Sequence, residues 1–516
     1  MLTNAIPKTR WNRKYAAQRF LIALLAMGLC GAPVSHAEQS SKPNIIIILA
    51  DDLGWRDVGY HGGPIKTPNI DSIARDGVKL ERFYVHPICS PTRAALMTGR
   101  YPIRYGYMKA VPFGPYKMGM STDEVTLADM LRDAGYEHRG AFGKWHLGHS
   151  HIKYHPMRRG FTEFTGCYEG GLDYFNREML DELDWHTGYE SNHDQGYTTD
   201  LIGDAAVNFI NAREGDDDPF FLYVPFTAPH FKFQAKEEDL PLYEHLGPIE
   251  DTNWGGATSV RGEYTTMPTP EERERSATLL ANRKIIGAMM HSLDREIGRI
   301  LKALEEIGKD ENTLLMFLSD NGGHGGVGSN FPYRGAKSAA FEGGVRVPGA
   351  IRWPGHIEPG TETSLPLSIL DVMPTLMNVA GVEDHGGKPL DGIDILDVLT
   401  GNQTKLDREL YNYIGQAGPE TEQISYTTNE WKLLVIGPQV NDDTLDDAKR
   451  RKMLFNLQED PYETTNLAAD HPELVEDMYT KLRKFRGLMP EVSIPPFFGG
   501  HEKGLVPPKE WKLPED

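Results

Sequence analysis

The sequence predicts an α/β fold, with a mostly parallel central sheet flanked by helices and a smaller α+β domain at the C-terminal end. Three observations carry this reading. Pro43-Asn44-Ile45-Ile46-Ile47-Ile48-Leu49-Ala50 and Thr313-Leu314-Leu315-Met316-Phe317-Leu318-Ser319 are continuous apolar runs, the pattern of strands buried on both faces. Helical periodicity separates such runs. Each run also delivers polar residues just past its carboxyl end, the edge where open α/β sheets bind ligands.

In chain order, residues 1–37 read as an export signal. Lys8, Arg10, Arg13, Lys14 and Arg19 precede an apolar stretch from Phe20 to Leu29, and Ser35-His36-Ala37 supplies small residues for cleavage. The stretch is too short for a membrane span. Removing these five basic residues takes the formal charge from −20 to −25. So acidic a chain does not suit nucleic acid, and an anionic substrate would need local cations. Only Cys89 and Cys167 then remain, and a disulfide between them is one reading. Few cysteines and a single acceptor, Asn402-Gln403-Thr404, favour a bacterial periplasm or secretion, with a lysosome as the alternative.

Asp51-Asp52 follows the first strand. Next comes Cys89, ahead of a helix in which Pro91 suits the first turn, Ala94 to Met97 propagate, and Gly99 stops. A side chain at position 89 thus sits at a helix N-terminus, which attracts anions, and Arg93 adds charge one turn on. A plain thiolate fits poorly here, because the surrounding carboxylates suit a hard cation and sulfur is a soft donor. Residues 149–197 and 231–270 read as rim loops around Phe220-Phe221-Leu222-Tyr223-Val224, which runs on to His230. Tyr174, Trp185, Tyr189 and Tyr197 in the first loop are candidates to stack on sugar.

Glu271 to Lys309 carries the longest helical periodicity, and Asp320-Asn321 follows the last core strand. Composition shifts near residues 401–407. Beyond it, Trp431 to Ile436 and Met453 to Leu457 read as strands and Pro472 to Phe485 as a helix. This gives residues 38–405 as the catalytic domain and 406–516 as the smaller one.

Four motifs then converge. Cys89-Ser90-Pro91-Thr92-Arg93 with Thr98-Gly99-Arg100 resembles the first sulfatase signature, and Gly135 to Gly148, containing Gly143-Lys144-Trp145-His146, resembles the second. Asp51-Asp52 and Asp320-Asn321 match the family's metal ligands. The resemblance implies an alkaline-phosphatase-like fold and a formylglycine-dependent sulfatase. Cys89 would be oxidised to 3-oxoalanine (formylglycine) by a maturation enzyme, leaving Cys167 a free thiol. The hydrated aldehyde would attack the sulfur of a sulfate ester. Asp51, Asp52, Asp320, Asn321 and position 89 would hold one calcium ion, an all-oxygen set that also admits magnesium. Arg93 would hydrogen-bond the nucleophile, and Lys144 and Lys337 would clamp the sulfate. His146 would take a proton during sulfate release, and His230 would protonate the leaving oxygen.

Within the family, Tyr101 to Gly106, Met157 to Phe161 and Phe341 to Arg346 are similar to N-acetylgalactosamine-4-sulfatases and bacterial polysaccharide sulfatases. A 4-O-sulfate on a galactose-configured sugar is therefore the expected substrate, in carrageenan or chondroitin/dermatan-type glycans. His324 and Arg334 are candidate substrate contacts. The alternatives are a phosphomonoester or phosphonate hydrolase of the same superfold, and a non-catalytic binder of sulfated glycans.

Overall fold

The computed structural model describes Met1 and residues 42–110, 118–247, 270–416, 418–494 and 507–515, with the side chains of the helix that begins at Pro270 described from residue 282. The export-signal reading of residues 1–37 falls outside the described residues.

Five strands form the parallel centre of a sheet. They lie side by side in the order Thr313–Ser319, Asn44–Ala50, Phe220–Pro225, His138–Lys144, Glu163–Cys167. Antiparallel strand Gly349–Arg352 extends one side, and the short pair His186–Thr187 and Glu190–Ser191 extends the other. The strands alternate between two cores. Ile45, Ile47 and Leu49 join one apolar cluster and Ile46, Ile48 and Ala50 the other, all at 0 % exposure. A run without polar interruption is what a strand covered on both faces requires.

The helix Pro270–Glu306 covers one face, with Ile286, Met289, Met290, Leu293, Ile297 and Ile300 buried in the second cluster. Helix Thr198–Asn211 packs beside it.

Register decides where the polar residues meet. Ala50 pairs with Ser319, so Asp51 and Asp320 leave the sheet as neighbours, and the Asp320 amide donates to the Ala50 carbonyl at 3.1 Å. On the other side Leu49 pairs with Pro225, and the Asp51 amide donates to the Ala228 carbonyl at 3.1 Å. Lys144 ends the next strand but one. Three strand ends thus open on one point.

The smaller C-terminal domain is an antiparallel sheet, Leu410–Ile414, Glu422–Thr427, Trp431–Gly437 and Arg451–Asn456, with helix Pro472–Arg486 against it. It is keyed to the main sheet by buried charge. Lys432 Nζ lies 2.9 Å from both Glu342 and Glu463, and all three side chains are at 0 % exposure. Tyr84 donates to Glu342 at 2.9 Å, and Glu463 accepts the Glu342 amide at 2.7 Å. Removing one member of such a group strands the others. Lys432→Met is therefore expected to cost about 3–5 kcal/mol, read as a lowered denaturation midpoint; an unchanged midpoint would contradict this account of the junction.

One expectation needs correction. Residues 149–197 do not form a loop only, because Glu163–Cys167 is a core strand of the sheet. Its sequence, with Thr165 and Gly166, has no apolar run to reveal it.

Candidate active site

Cys89 is the first residue of helix Cys89–Thr98, whose C-terminus is Gly99 at φ 61°. That left-handed conformation suits glycine and ends the helix where the sequence predicts. Thr92 fastens the approach, since its hydroxyl donates to the His86 carbonyl at 3.1 Å and accepts the His86 amide at 3.0 Å. Cys89 is 2 % exposed and Cys167 is also buried; both are free thiols. The disulfide reading does not hold. Burial pushes the Cys89 thiol up to about 11, against the pull of Lys144 and Lys337. An unmodified thiol here stays protonated at neutral pH and is a weak nucleophile.

Three carboxylates converge beside it. One ligating atom from each of Asp51, Asp52, Cys89 and His230 lies within 4.8 Å of the others. Asp320 joins through its Oδ1, which accepts the Asp52 amide at 3.2 Å. Asn321 donates to Asp52 Oδ1 at 2.7 Å. Asp52 sits at φ 65°, a strained position for a non-glycine residue and one that clusters at functional sites.

Cations compensate this charge. Lys144 Nζ is 2.5 Å from Asp51 Oδ2, and Lys337 Nζ is 2.7 Å from Asp52 Oδ1. Arg93, wholly buried, donates twice to Asp320 Oδ2 at 2.8 and 3.0 Å and once to the Lys144 carbonyl at 2.8 Å. These bonds hold the ligand cluster and the Lys144 strand end, whereas the family resemblance implied a contact with the nucleophile. Burial raises Asp52, but Lys337 and His230 outweigh it and hold the carboxyl well below the usual range. Burial and then Asp51 push Asp320 up to about 6.

Two oxygens in this cluster stay unmet. Asp51 Oδ1 and Asn321 Oδ1 are buried without a hydrogen-bond partner. Buried acceptors left this way are costly unless something else satisfies them. Oxygen-only donors from Asp51, Asp52, Asp320 and Asn321 suit a hard divalent cation, so the residues present fit the metal that the family resemblance implies.

The histidines flank the cluster. His146 is buried at φ 55°, with Nδ1 lacking a partner. Burial, then Lys144 and Arg93, hold it well below its ordinary value, so it is a neutral base. His230 binds the Phe231 carbonyl through Nδ1 and places Nε2 3.8 Å from Asp52 Oδ2. Burial and Lys337 lower it too. A bound anion beside it would raise it again.

The other candidates divide. His324 lies near the cluster, with Nδ1 at 3.0 Å from the Gly325 carbonyl. Arg334 donates to the Glu463 carbonyl at 3.0 Å and stacks on Phe341 at 4.2 Å, which ties it to the C-terminal domain. Tyr174, Trp185 and Tyr197 are buried at 1, 0 and 3 % exposure and belong to the core, while Tyr189 is exposed. The expectation that all four face sugar fails for three of them.

Sequence reasoning missed Gly170 and Gly171. A Cβ on Gly170 would come within 2.7 Å of the His146 ring, and one on Gly171 within 3.1 Å of the His230 ring. A side chain at position 170 would displace the His146 ring, and one at position 171 would crowd the His230 ring; the Gly-Gly pair was the available signal. His149, given no role from sequence, pairs with Glu169 at 2.9 Å just before those glycines.

The family described as Sulfatase matches residues 43–382, and the one described as N-sulphoglucosamine sulphohydrolase, C-terminal, matches residues 336–487. N-acetylgalactosamine-6-sulfatase of Mus musculus is 30 % identical, covering 95 % of this chain and 91 % of that protein. Arylsulfatase J of Mus musculus is 29 % identical, over 90 % of this chain and 79 % of that one. The crystal structure of Ps i-CgsB superposes with a TM-score of 0.74 at 30 % identity, covering 89 % of this chain and 96 % of that one. A second crystal structure of Ps i-CgsB holds k-i-k-neocarrahexaose.

Proposed function

Because the chain belongs to the sulfatase family, a family of sulfuric ester hydrolases, we propose that it removes a 4-O-sulfate from a galactose-configured sugar in a sulfated oligo- or polysaccharide. The observation that carries the site assignment is the meeting, at one helix N-terminus, of Cys89, three carboxylates and two lysines, with two buried oxygens unmet.

Each residue then has a task. Asp51, Asp52, Asp320 and Asn321 hold the cation, for which calcium is the best fit to an all-oxygen set. When bound, that cation would supply Lewis acidity to the reacting groups. Position 89, once oxidised to formylglycine, would supply the nucleophilic oxygen. Lys144 and Lys337 bind the sulfate oxygens where negative charge develops. His146 accepts a proton at Nδ1, the ring atom left without a partner. His230, anchored through Nδ1, offers Nε2 to the leaving oxygen. Arg93 orients Asp320 and the Lys144 strand end.

Since Cys89 is 2 % exposed, the maturation enzyme must reach it before the fold closes. The basic, apolar, then small-residue pattern of residues 1–37 supports export to a periplasm or the cell exterior. Among the described residues no helix is long and apolar enough to cross a membrane.

N-acetylgalactosamine and neocarrahexaose, named for the similar proteins, are both galactose-configured, which supports the sugar class. A 6-O-sulfate is the second reading, favoured by the relatives named as 6-sulfatases. A panel of 4-O-, 6-O- and N-sulfated saccharides tests this, with sulfate release as readout. Release from the 4-O-sulfated galacto-sugars at the highest kcat/KM is expected. Release from N-sulfated sugars alone would refute the sugar class, and preference for 6-O-sulfate would refute the position. Nitrophenyl sulfate should be turned over faster than nitrophenyl phosphate, the reverse being expected of a phosphomonoesterase.

A further inference from the structure

Next to His230 the chain presents a large apolar ring to water. Phe231 is 57 % exposed, although its neighbour reaches into the catalytic cluster. Exposed aromatics need no explanation when scattered, but this one is held in place with unusual care.

Buried side chains fasten the backbone on both sides of it. The Tyr174 hydroxyl donates to the Thr227 carbonyl at 2.6 Å and to the His230 carbonyl at 3.1 Å. Three residues past Phe231, the Gln234 carbonyl accepts from the Tyr197 hydroxyl at 2.8 Å. The Gln234 side chain donates to Asp173 at 2.7 Å and accepts the Tyr174 amide at 2.9 Å. Phe231 itself stands edge-on to Phe233 at 5.6 Å, and Phe233 edge-on to His324 at 5.6 Å. Tyr174 and Tyr197 are thus the props of a platform, and Phe231 is its face. Fixing the segment in advance lowers the entropy cost of binding to it.

We propose that Phe231 is the stacking platform for the sugar ring that bears the sulfate. This rests on the sulfatase reading, in which His230 faces the leaving oxygen. A ring one residue from His230 then lies beside the sugar that carries this oxygen. A galactose-configured pyranose suits it, because an axial O4 leaves the C–H groups of C3, C4 and C5 on the opposite face as one apolar patch. Phe231 makes no bond in the reaction. It selects a saccharide and orients it.

The experiment uses the full, matured chain and compares wild type with Phe231→Ala and Phe231→Trp. The substrate is whichever sulfated saccharide wild type cleaves best, so a wrong sugar class in the panel above is seen separately. Phe231→Ala should lower kcat/KM about five- to ten-fold through KM, and Phe231→Trp should restore it. Competitive inhibition by inorganic sulfate, which has no ring to stack, should keep its Ki in both variants. A kcat/KM for Phe231→Ala within twofold of wild type would overturn the proposal. So would an equal weakening of sulfate inhibition, because Phe231 would then act by placing His230 rather than by touching sugar.

Discussion

Cys89→Ala is expected to lower sulfate release by about ten-thousand-fold or more, the scale seen when a covalent nucleophile is removed. The fold should survive. Cys89 packs in a small cluster with Ile88, Ala110 and Ile414, and alanine removes one sulfur atom from it. The loss in stability should stay at about 1 kcal/mol, measured as a denaturation midpoint. Cys89→Ser separates chemistry from position more finely. A hydroxyl at position 89 can attack sulfur once, but the resulting ester lacks a second oxygen from which to re-form a carbonyl and expel sulfate. At most one leaving group per enzyme should appear. Sustained turnover by the serine variant would show that sulfate leaves by another route.

Chelation is expected to have the next largest effect. Stripping divalent cations should reduce activity about a hundred-fold or more, since a Lewis acid at a reacting oxygen contributes several kcal/mol. Calcium should restore it better than magnesium, and zinc poorly. The stripped protein should remain folded, because Lys144, Lys337 and Arg93 already pair with Asp51, Asp52 and Asp320. Returning calcium at about 100 times its Kd should nonetheless stabilise the fold by about 2.7 kcal/mol through linkage. Asp320→Ala should lose both the activity and the calcium-dependent stabilisation. Full activity in chelated protein would remove the cation from the account.

What could be read from the sequence followed from physical constraint. Strands Asn44–Ala50, Phe220–Pro225 and Thr313–Ser319 are covered on both faces, so their central side chains are apolar in succession, and polar residues such as Asn44, Thr313 and Ser319 stand only at their ends. The Cys89 helix was equally legible, because Pro91 and Gly99 mark positions where few other residues serve. Strand Glu163–Cys167 was hidden for the opposite reason, since one of its faces is only partly covered and keeps Glu163 and Thr165. Leu410–Ile414 and Glu422–Thr427 were missed too, because they carry polar residues that tertiary partners satisfy, such as Glu422, which accepts from Arg486 and from the Tyr413 hydroxyl. Aromatic residues mislead in another way. Tyr174 and Tyr197 look the same in sequence whether their rings meet sugar or core, and only packing shows that they fasten the backbone on either side of Phe231.

The motif residues came together because parallel register brings strand ends to one level. Ala50 opposite Ser319 places Asp51 beside Asp320 although the two lie far apart in the chain. The division of labour among the cations could not be read from motifs. Arg93 follows Cys89 by one helical turn, yet its donors go to Asp320 and the Lys144 carbonyl. Gly170 and Gly171 matter through the rings that lean on them, which no spacing rule anticipates.

The central claim is that position 89 works as an oxidised carbon and not as sulfur. Peptide mass spectrometry across Cys89, on active protein from its native host, tests it most directly. The account predicts an aldehyde at position 89, in a fraction that rises and falls with specific activity across preparations. Fully active protein carrying an intact thiol at that position would contradict it.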